Sequence, residues 1–270
     1  MKIGFLITGL GVGGAEMHLK KIIPHLKSDC FVISLTDEDA IGKEIDATVY
    51  YLGLTRWNLP LVLERFRKVL KKERPDVLDT YLIHANLFGR IFGRLFGVKK
   101  IVNSVRNDYS DLKVLNFFDR MTRGLADLYI PNSEALRDQL DGVKMEVLPN
   151  CIDMREIKTG PYDIRKDLNI DGRILVYHGR LHMQKCIETL ISSLDHLKGY
   201  TAVIIGDGPD KRRLKAKAGD NVRFTGNLND REKIYSYLSQ ADVYVLPSRK
   251  EGMSNSLLEA MALGMVCVVS

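Results

Sequence analysis

Short apolar segments alternate with amphipathic segments along the whole chain. The apolar segments predict buried β-strands and the amphipathic ones predict helices, a pattern typical of parallel sheets covered on both faces. The predicted strands are 2–7, 30–35, 47–52, 76–81, 100–105, 127–131, 173–178, 201–206, 222–225, 242–246 and 266–270. The predicted helices are 15–27, 59–73, 85–97, 113–125, 133–140, 185–197, 209–218, 230–239 and 254–263. This alternation predicts the α/β class.

The alternation is interrupted at residues 148–172, which contain Pro149, Gly160 and Pro161 and show little apolar periodicity. We interpret this stretch as a connection between two doubly wound domains, 1–155 and 156–270. The chain stops on an apolar segment, 265–270, whereas termini are usually polar and exposed. We therefore expect the second domain to be incomplete. Ligands of such sheets bind beyond the carboxyl ends of the strands, so the residues after each strand are the candidates for chemistry.

Composition narrows the class of protein. Of the 270 residues, 45% are apolar and 27% are charged, which excludes a disordered or coiled-coil chain. A net charge of +6 tolerates anionic ligands, and we expect no nucleic-acid partner. The four cysteines lack metal-site spacing, so neither a zinc site nor a disulfide framework is expected. No apolar run approaches the roughly 20 residues that span a bilayer.

A glycine-rich loop follows the first strand. Gly9, Gly11 and Gly14 match the spacing of a dinucleotide fingerprint, whose acidic partner about 20 residues further on would be Asp37 or Asp39. Glycines let backbone amides approach an anion at a helix N-terminus. The alternatives are a nicotinamide site, a tight turn or a site for another phosphate ligand.

Two further loops join a strand to a helix in the second domain. The first, residues 178–185, holds Arg180 and Lys185 close to a predicted helix N-terminus, where two cations and free amides suit a diphosphate. Solvated basic residues are the equal alternative. The second loop, Gly206-Asp207-Gly208-Pro209, has the sequence of a common turn. Its position at the ligand-binding edge of the sheet supports a role in binding.

Two carboxylates frame the last predicted helix. Glu251 lies in the loop after a strand, and Glu259 lies on the helix that we expect Ser254 or Asn255 to cap. Carboxylates accept hydrogen bonds from the vicinal hydroxyls of a sugar or a ribose. Because Glu259 sits in an apolar stretch, it needs an ion-pair partner or a ligand.

Taken in order, these segments resemble glycosyltransferase family 4, whose GT-B fold consists of two tandem Rossmann-like domains. The segments that carry the resemblance are GVGGAE at 11–16, PNSEAL at 131–136, VLPNCID at 147–153, GRLHMQK at 179–185, GDGP at 206–209, VRFTGNL at 222–228 and ADVYVLPSRKEGMSNSLLEAMALG at 241–264.

The resemblance implies roles for individual residues. Arg180 and Lys185 would hold the donor diphosphate, Glu251 would contact the donor sugar, and Glu259 would bind the ribose. The remaining donor-side residues would be Gly13, Gly14, Gly206, Asp207, Gly208, Met253, Ser254 and Asn255. His84 and Arg106 would line the acceptor side, in the N-terminal domain.

The chain departs from the family pattern at four positions. Histidines are common where this chain has Asp79 and Tyr81, which weakens a role for His84. Cys151 and Cys186 replace usual glycines, and we expect both to pack rather than react.

The implied reaction is transfer of a sugar, with retention, from a nucleotide-diphosphate sugar to a glycan or lipid-linked acceptor in surface polysaccharide, lipopolysaccharide or glycolipid synthesis. A UDP-hexose or UDP-N-acetylhexosamine is the expected donor. No cofactor and no metal are expected, because cationic side chains can stabilise the leaving diphosphate. The alternatives are a truncated inactive chain with a nucleotide-binding or partner role, and an NAD-dependent oxidoreductase.

Residues 59–74 bear on location. Lys and Arg are frequent there, and Leu61, Phe66 and Leu70 form an apolar face opposite them. Such a helix either rests on anionic lipid or packs in the protein with a solvated basic face. We expect a cytoplasmic protein that contacts the inner face of the plasma membrane peripherally if the first alternative holds.

Overall fold

The computed structural model describes residues 1–109 and 112–270. These residues form two compact units, Met1–Asn150 (unit 1) and Cys151–Ser270 (unit 2), where the sequence pattern predicts the boundary at 155/156. Each unit is built on its own parallel sheet with helices on its faces, so the predicted fold class of two tandem Rossmann-like domains is confirmed.

Unit 1 contains a six-stranded sheet in the order β3-β2-β1-β4-β5-β6. Its strands are β1 (Lys2–Ile7), β2 (Asp29–Ser34), β3 (Thr48–Tyr51), β4 (Val77–Tyr81), β5 (Lys100–Val105) and β6 (Leu128–Pro131). Its helices are α1 (Gly14–Ile22), α2 (Leu59–Glu73), α3 (Ile83–Leu95), α4 (Lys113–Thr122) and α5 (Glu134–Arg137).

Both faces of this sheet are covered by apolar side chains, as near-continuous apolar strands require. On one face β1 packs against α1 through residues such as Leu19. On the other face the sheet packs against α2 and α3 through residues such as Phe66 and Phe88. Gly89 lets α3 approach the sheet closely, because a Cβ there would lie 2.9 Å from Leu6 Cδ2.

Unit 2 contains a five-stranded sheet in the order β11-β10-β7-β8-β9. Its strands are β7 (Arg173–His178), β8 (Tyr200–Ile205), β9 (Val222–Gly226), β10 (Val243–Leu246) and β11 (Val266–Val269). Its helices are α6 (Ile164–Leu168), α7 (Ile187–Ser193), α8 (Lys211–Lys217), α9 (Arg231–Gln240) and α10 (Asn255–Ala262).

Helix α6 lies inside the stretch that the sequence pattern predicts as a connection. Asp163 caps it by accepting hydrogen bonds from the amides of Arg165 and Lys166. Ile164 is fully buried in the core of unit 2, so the short helix belongs to that core. One buried side chain in five residues is too little periodicity to detect in the sequence.

In each sheet the strand order reverses once. The reversal lies between β1 and β4 in unit 1 and between β7 and β10 in unit 2. At such a topological switch point the connections leave in opposite directions and open a crevice at the carboxyl ends of the strands, where doubly wound proteins bind ligands.

Candidate functional site

The switch point of unit 2 is formed by the loops after β7 and β10, and polar contacts join these two loops. The Gln184 side-chain amide donates to the Lys250 carbonyl at 2.7 Å. The Arg249 amide donates to the Gln184 carbonyl at 3.1 Å. The two loops therefore form one connected edge of the crevice.

Lys185 and Glu251 meet at this edge as an ion pair between Lys185 Nζ and Glu251 Oε1. Their side chains are 22% and 23% exposed, so the pair is neither buried nor freely solvated. An anionic group and a hydroxyl-bearing group of one ligand could thus be held by a cation and a carboxylate that already adjoin each other.

The segment that carries Lys185 is a 3-10 turn, Met183–Lys185, and not the start of the predicted helix. Cys186 follows with φ of +47°, a left-handed conformation that favours glycine, and α7 begins only at Ile187. The side chain of Cys186 is buried, as expected. The expectation for Cys151 is wrong, because that side chain is exposed.

Arg180 is exposed in the loop after β7, and its carbonyl accepts a hydrogen bond from Tyr177 at 3.0 Å. A backbone hydrogen bond joins this loop to the loop after β8: Leu181 N donates to the Asp207 carbonyl at 2.9 Å. Arg180 and Lys185 therefore lie on one short loop, with Arg180 before its 3-10 turn and Lys185 as the last residue of that turn.

The glycines of the loop after β8 allow that close contact. Gly206 has φ of +137°, and a Cβ there would collide with the carbonyl oxygen of Gly179. A Cβ at Gly208 would collide with the carbonyl oxygen of Leu181. Asp207, between them, is exposed and pairs with Lys211.

The N-terminus of α10 faces the same switch point. Ser254 caps the helix by accepting from the Leu257 amide, and Asn255 is its first residue, with Met253 immediately before the cap. The Ser256 hydroxyl extends this polar set, because it accepts from the Tyr244 hydroxyl at 2.8 Å.

Glu259 is buried on α10, one turn beyond this N-terminus, and is only 7% exposed. Its Oε1 accepts from Arg231 Nη2 at 2.8 Å and from the Tyr235 hydroxyl at 3.3 Å. Arg231 also contacts the Tyr235 hydroxyl, so the three side chains form one network between α9 and α10. The partner that a carboxylate in apolar surroundings requires is therefore Arg231.

His178 ends β7 beside this network. Its Nδ1 lies 3.9 Å from Glu259 Oε2 and has no hydrogen-bond partner among the described residues. Burial, and to a lesser degree the Arg231 guanidinium, lowers the pKa of His178 to about 4. The imidazole is thus neutral at pH 7 and is available as a hydrogen-bonding group next to Glu259.

The glycine loop of unit 1 packs against Glu38, which follows β2. A Cβ at Gly9 would lie 2.7 Å from Glu38 Oε2, and one at Gly11 would lie 2.5 Å from Glu38 Oε1. Leu10 N also donates to the Glu38 carbonyl at 3.0 Å. A carboxylate and a backbone partner therefore lie against the first two glycines of the loop, and an acidic side chain in this place does not separate the alternatives for the loop.

Gly13 and Gly14 stand at the beginning of α1. Gly13 is the N-cap residue in extended conformation, and Gly14 is the first helical residue. Neither glycine has a positive φ, so the backbone conformation does not require glycine at these two positions. Asp39 accepts from the Gly42 amide at 2.8 Å and serves as a local turn residue.

Arg106 lies at the carboxyl end of β5 and is only 5% exposed. Its guanidinium donates to the Asn150 side chain at 3.0 Å and contacts His18 Nε2 at 3.0 Å. It also lies over the ring of Tyr81, with 5.4 Å between the guanidinium carbon and the ring centroid. Within the described residues no carboxylate lies within ion-pair distance of it, and its Nε is buried without a partner.

Two neighbours of Arg106 have strongly shifted pKa values. Burial lowers the pKa of His18 to about 4, with Arg106 as the next cause. Burial also raises the pKa of Asp79 to about 7, opposed by the Ser104 hydroxyl and by Arg106. The cluster therefore holds one permanent cation and two groups that burial drives towards their neutral forms.

His84 differs from this cluster in burial. It is exposed and lies in the first turn of α3, directly after Leu82, whose φ of +73° marks a sharp turn at the end of β4. Its position in the first turn of α3 is the structural support for an acceptor-side role.

Comparison with known proteins decides the family. The model of "Glycosyltransferase Family 4" matches residues 12–156, more than half of the chain. The chain belongs to glycosyltransferase family 4. The model of "Glycosyl transferases group 1" matches residues 172–270, so the assignment extends to unit 2.

Characterised relatives of this family 4 chain are found in bacteria. A UDP-Gal:alpha-D-GlcNAc-diphosphoundecaprenol alpha-1,3-galactosyltransferase of Escherichia coli is 28% identical over 75% of the chain and 59% of that enzyme. An N-acetylgalactosamine-N,N'-diacetylbacillosaminyl-diphospho-undecaprenol 4-alpha-N-acetylgalactosaminyltransferase of Campylobacter jejuni is 26% identical over 97% of the chain and 78% of that enzyme. The match thus spans less than two thirds of the first enzyme.

Solved structures support the fold. Anabaena Alr3699/HepE in complex with UDP-glucose matches all of the chain and 80% of its own length, with a TM-score of 0.82 and 20% identity. The two parallel sheets therefore have the arrangement of strands and helices of the GT-B class.

Sequence reasoning missed three members of the site. Arg231 and Tyr235 complete the environment of Glu259, and Gln184 joins the two loops. The four-residue spacing of Arg231 and Tyr235 on a helix shows that they can act together. Nothing local to either residue indicates that the helix packs beside Glu259.

Proposed function

We propose that this chain is a retaining glycosyltransferase that moves a sugar from a nucleotide-diphosphate donor to an acceptor hydroxyl. The single observation that carries the proposal is the Lys185–Glu251 pair at the switch point of unit 2, in a chain of glycosyltransferase family 4. A cation for the diphosphate and a carboxylate for the sugar adjoin each other at the place where doubly wound sheets bind ligands.

The proposed donor is a UDP-hexose or a UDP-N-acetylhexosamine. The Escherichia coli relative is named for UDP-Gal, and the Anabaena protein of the same fold was solved with UDP-glucose. We assign the buried Glu259 to the ribose hydroxyls, because a carboxylate held by Arg231 keeps acceptor capacity for further hydrogen bonds.

The chemical step requires stabilisation of the leaving nucleoside diphosphate. Lys185 and Arg180, on one loop, would supply positive charge where negative charge develops, and the amides around the Ser254 cap would supply further donors. Glu251 would orient the sugar through its hydroxyls. No metal and no cofactor is part of this proposal, since the cations perform the task that a divalent ion performs elsewhere.

The proposed acceptor is a glycan carried on a lipid diphosphate, in surface polysaccharide or lipopolysaccharide synthesis. Both bacterial relatives are named for undecaprenol-linked substrates. We place Arg106 and His84 on the acceptor side and propose a cytoplasmic protein at the inner face of the plasma membrane. Within the described residues no helix has the length and apolar character to cross a bilayer.

The proposal is tested by donor binding and turnover with the 270-residue chain. UDP-, GDP- and ADP-sugars are screened by thermal shift, and hydrolysis of the best donor is then measured without acceptor. We expect a UDP-sugar to raise Tm, and Lys185→Ala to reduce hydrolysis at least 100-fold with an unchanged melting profile.

Lys217→Ala is the matched control, because Lys217 is an exposed lysine on α8 that pairs with Glu188. It should leave hydrolysis within twofold of the parent. Equal turnover of the Lys185 variant and the parent would overturn the site. Absence of any nucleotide response would favour the alternative of an inactive chain with a partner role.

A further inference from the structure

Two helices of unit 1 combine apolar and basic residues but place their apolar faces in opposite directions. In α2, the segment with the basic face, the side chains of Val62, Phe66, Val69 and Leu70 are buried in the core. Leu61, which the sequence predicts on the same face, is 46% exposed instead. This arrangement favours a packed helix with a solvated basic face over a helix that inserts apolar side chains into lipid.

In α4 the apolar side chains point outward. Val114, Phe117, Phe118 and Met121 are 70%, 60%, 50% and 68% exposed. Their spacing of three, four and seven residues puts them on one stripe of the helix. Four large apolar side chains side by side on one exposed helix face are unlike the scattered single residues of an ordinary surface.

The inward face of α4 is polar instead. Asp119 is 7% exposed and accepts from Arg90 Nη2 at 2.8 Å and from Arg123 Nε at 2.8 Å. Arg90 is itself fully buried. The helix is thus held to unit 1 by an ionic network, and its apolar stripe is not used for folding.

The exposed charges of α4 itself have one sign. Residues 112–125 contain Lys113, Arg120 and Arg123, and their single carboxylate is the buried Asp119. Lys113 and Arg120 are exposed on the flank of the stripe. An apolar stripe bordered by cations complements an anionic lipid surface, where aromatic side chains enter the interface and cations meet the headgroups.

We propose that the exposed face of α4, formed by Val114, Phe117, Phe118 and Met121 with Lys113 and Arg120 beside it, docks on an anionic lipid bilayer. The proposal deepens the proposed function, on which its biological purpose rests: a lipid-linked acceptor is reached from the membrane surface. It assigns the membrane contact to α4 in place of the basic helix α2.

Binding to vesicles tests the proposal directly. The 270-residue chain is sedimented with vesicles of phosphatidylcholine containing phosphatidylglycerol, without nucleotide. We expect Phe117→Ser combined with Phe118→Ser to weaken partitioning at least tenfold. Arg67→Ser combined with Lys71→Ser, which removes exposed cations of α2, should weaken it less than twofold.

Tryptophan fluorescence locates the contact. Trp57, the single tryptophan, is 91% exposed just before α2. In a Trp57→Phe background, Phe117→Trp should show a blue-shifted emission with vesicles. A shift confined to Trp57 in the parent protein, with no shift at position 117, would overturn the assignment to α4.

Two further outcomes would also overturn it. One is equal partitioning of the parent and the double phenylalanine variant. The other is a concentration-dependent dimer on sizing chromatography that the same variant abolishes, which would make a second copy the occupant. Donor hydrolysis without lipid is measured on the same samples, so a failed membrane contact and a failed transferase function are distinguished.

Discussion

The two units both place charged side chains beyond the carboxyl ends of parallel strands but bury them to different extents. At the switch point of unit 2, Lys185 and Glu251 pair while about a fifth of each side chain is exposed. In unit 1, Arg106 and His18 are each 5% exposed, and the hydrogen-bond partners of Arg106 are a neutral amide and a neutral imidazole.

This difference in burial distinguishes charged groups that can rearrange around a ligand from charged groups that stabilise the fold. A partly exposed ion pair is worth little to folding, and either member can change partner when a ligand enters. A buried cation among neutral groups is tied to the fold, because removing it also removes the hydrogen bonds that it makes to the groups packed around it. We therefore expect substitutions in unit 2 to affect turnover and those in unit 1 to affect stability.

The largest effect is expected for Glu251→Gln. The amide keeps the shape but removes the negative charge that faces Lys185, so we expect donor hydrolysis to fall about 100-fold, the scale of one transition-state contact. Steady-state kinetics measure the effect. Glu188→Gln on α7 is the control, since Glu188 pairs with Arg213 outside the crevice. Hydrolysis within twofold of the parent would count against a role for Glu251.

Arg231→Met examines the buried carboxylate of unit 2, which is an exception to the pattern of exposed pairs. We expect the free energy of unfolding to fall by about 2–3 kcal/mol, because Glu259 loses its cation. This expected loss is at or below the range for breaking a fully buried ion pair, because the Arg231 side chain is 40% exposed and solvent screens its charge.

Urea denaturation measures that loss. The double variant Arg231→Met and Glu259→Met should recover part of it, because no uncompensated carboxylate is left in the interior. Equal losses in the single and double variants would show that packing and not charge holds this network.

Asp79→Asn tests the pH dependence of unit 1. A carboxyl whose pKa is raised to about 7 on folding holds its proton in the folded state while the unfolded chain, with a pKa near 3.9, has lost it. Its ionisation therefore lowers stability as the pH rises from about 4 to about 7, and the full cost remains above pH 7.

The asparagine variant lacks this cost, so its stability relative to the parent should increase by about 2 kcal/mol between pH 5.5 and pH 8. Urea titrations of both proteins at the two pH values give the difference, which removes the opposite contributions of His18 and His178. If the difference in stability does not change with pH, the pKa of the Asp79 carboxyl is not raised on folding.

The smallest effect is expected for Arg106→Met. The substitution preserves bulk over the Tyr81 ring but removes the hydrogen bonds that Arg106 makes to Asn150 and His18, so the free energy of unfolding should fall by about 1 kcal/mol. Lys185→Met is the matched change in unit 2 and should alter stability by less than about 0.5 kcal/mol. A larger loss of stability for Lys185→Met than for Arg106→Met would contradict the contrast between the two units.

Several features of the site could be predicted because their causes are local. Ser254 caps α10 as expected, since a hydroxyl before a helix satisfies its free amides. Gly206 and Gly208 lie where the backbone of the neighbouring loop approaches, and only glycine, which has no Cβ, leaves room for that contact. The start of α7 could not be predicted, because Cys186 adopts a left-handed conformation that its residue type does not favour.

The sequence by itself determined the order of the strands and of the helices other than α6, the two-unit organisation and the residues that follow each strand, because apolar periodicity and glycine position act over a few residues. Tertiary structure decided that Arg231 holds Glu259, that one carboxyl oxygen of the half-buried Asp79 is enclosed near Arg106, and that α2 turns most of its apolar face inward while α4 turns its own outward. These outcomes depend on which surfaces distant segments cover, and neither the charge nor the periodicity of a single segment contains that information.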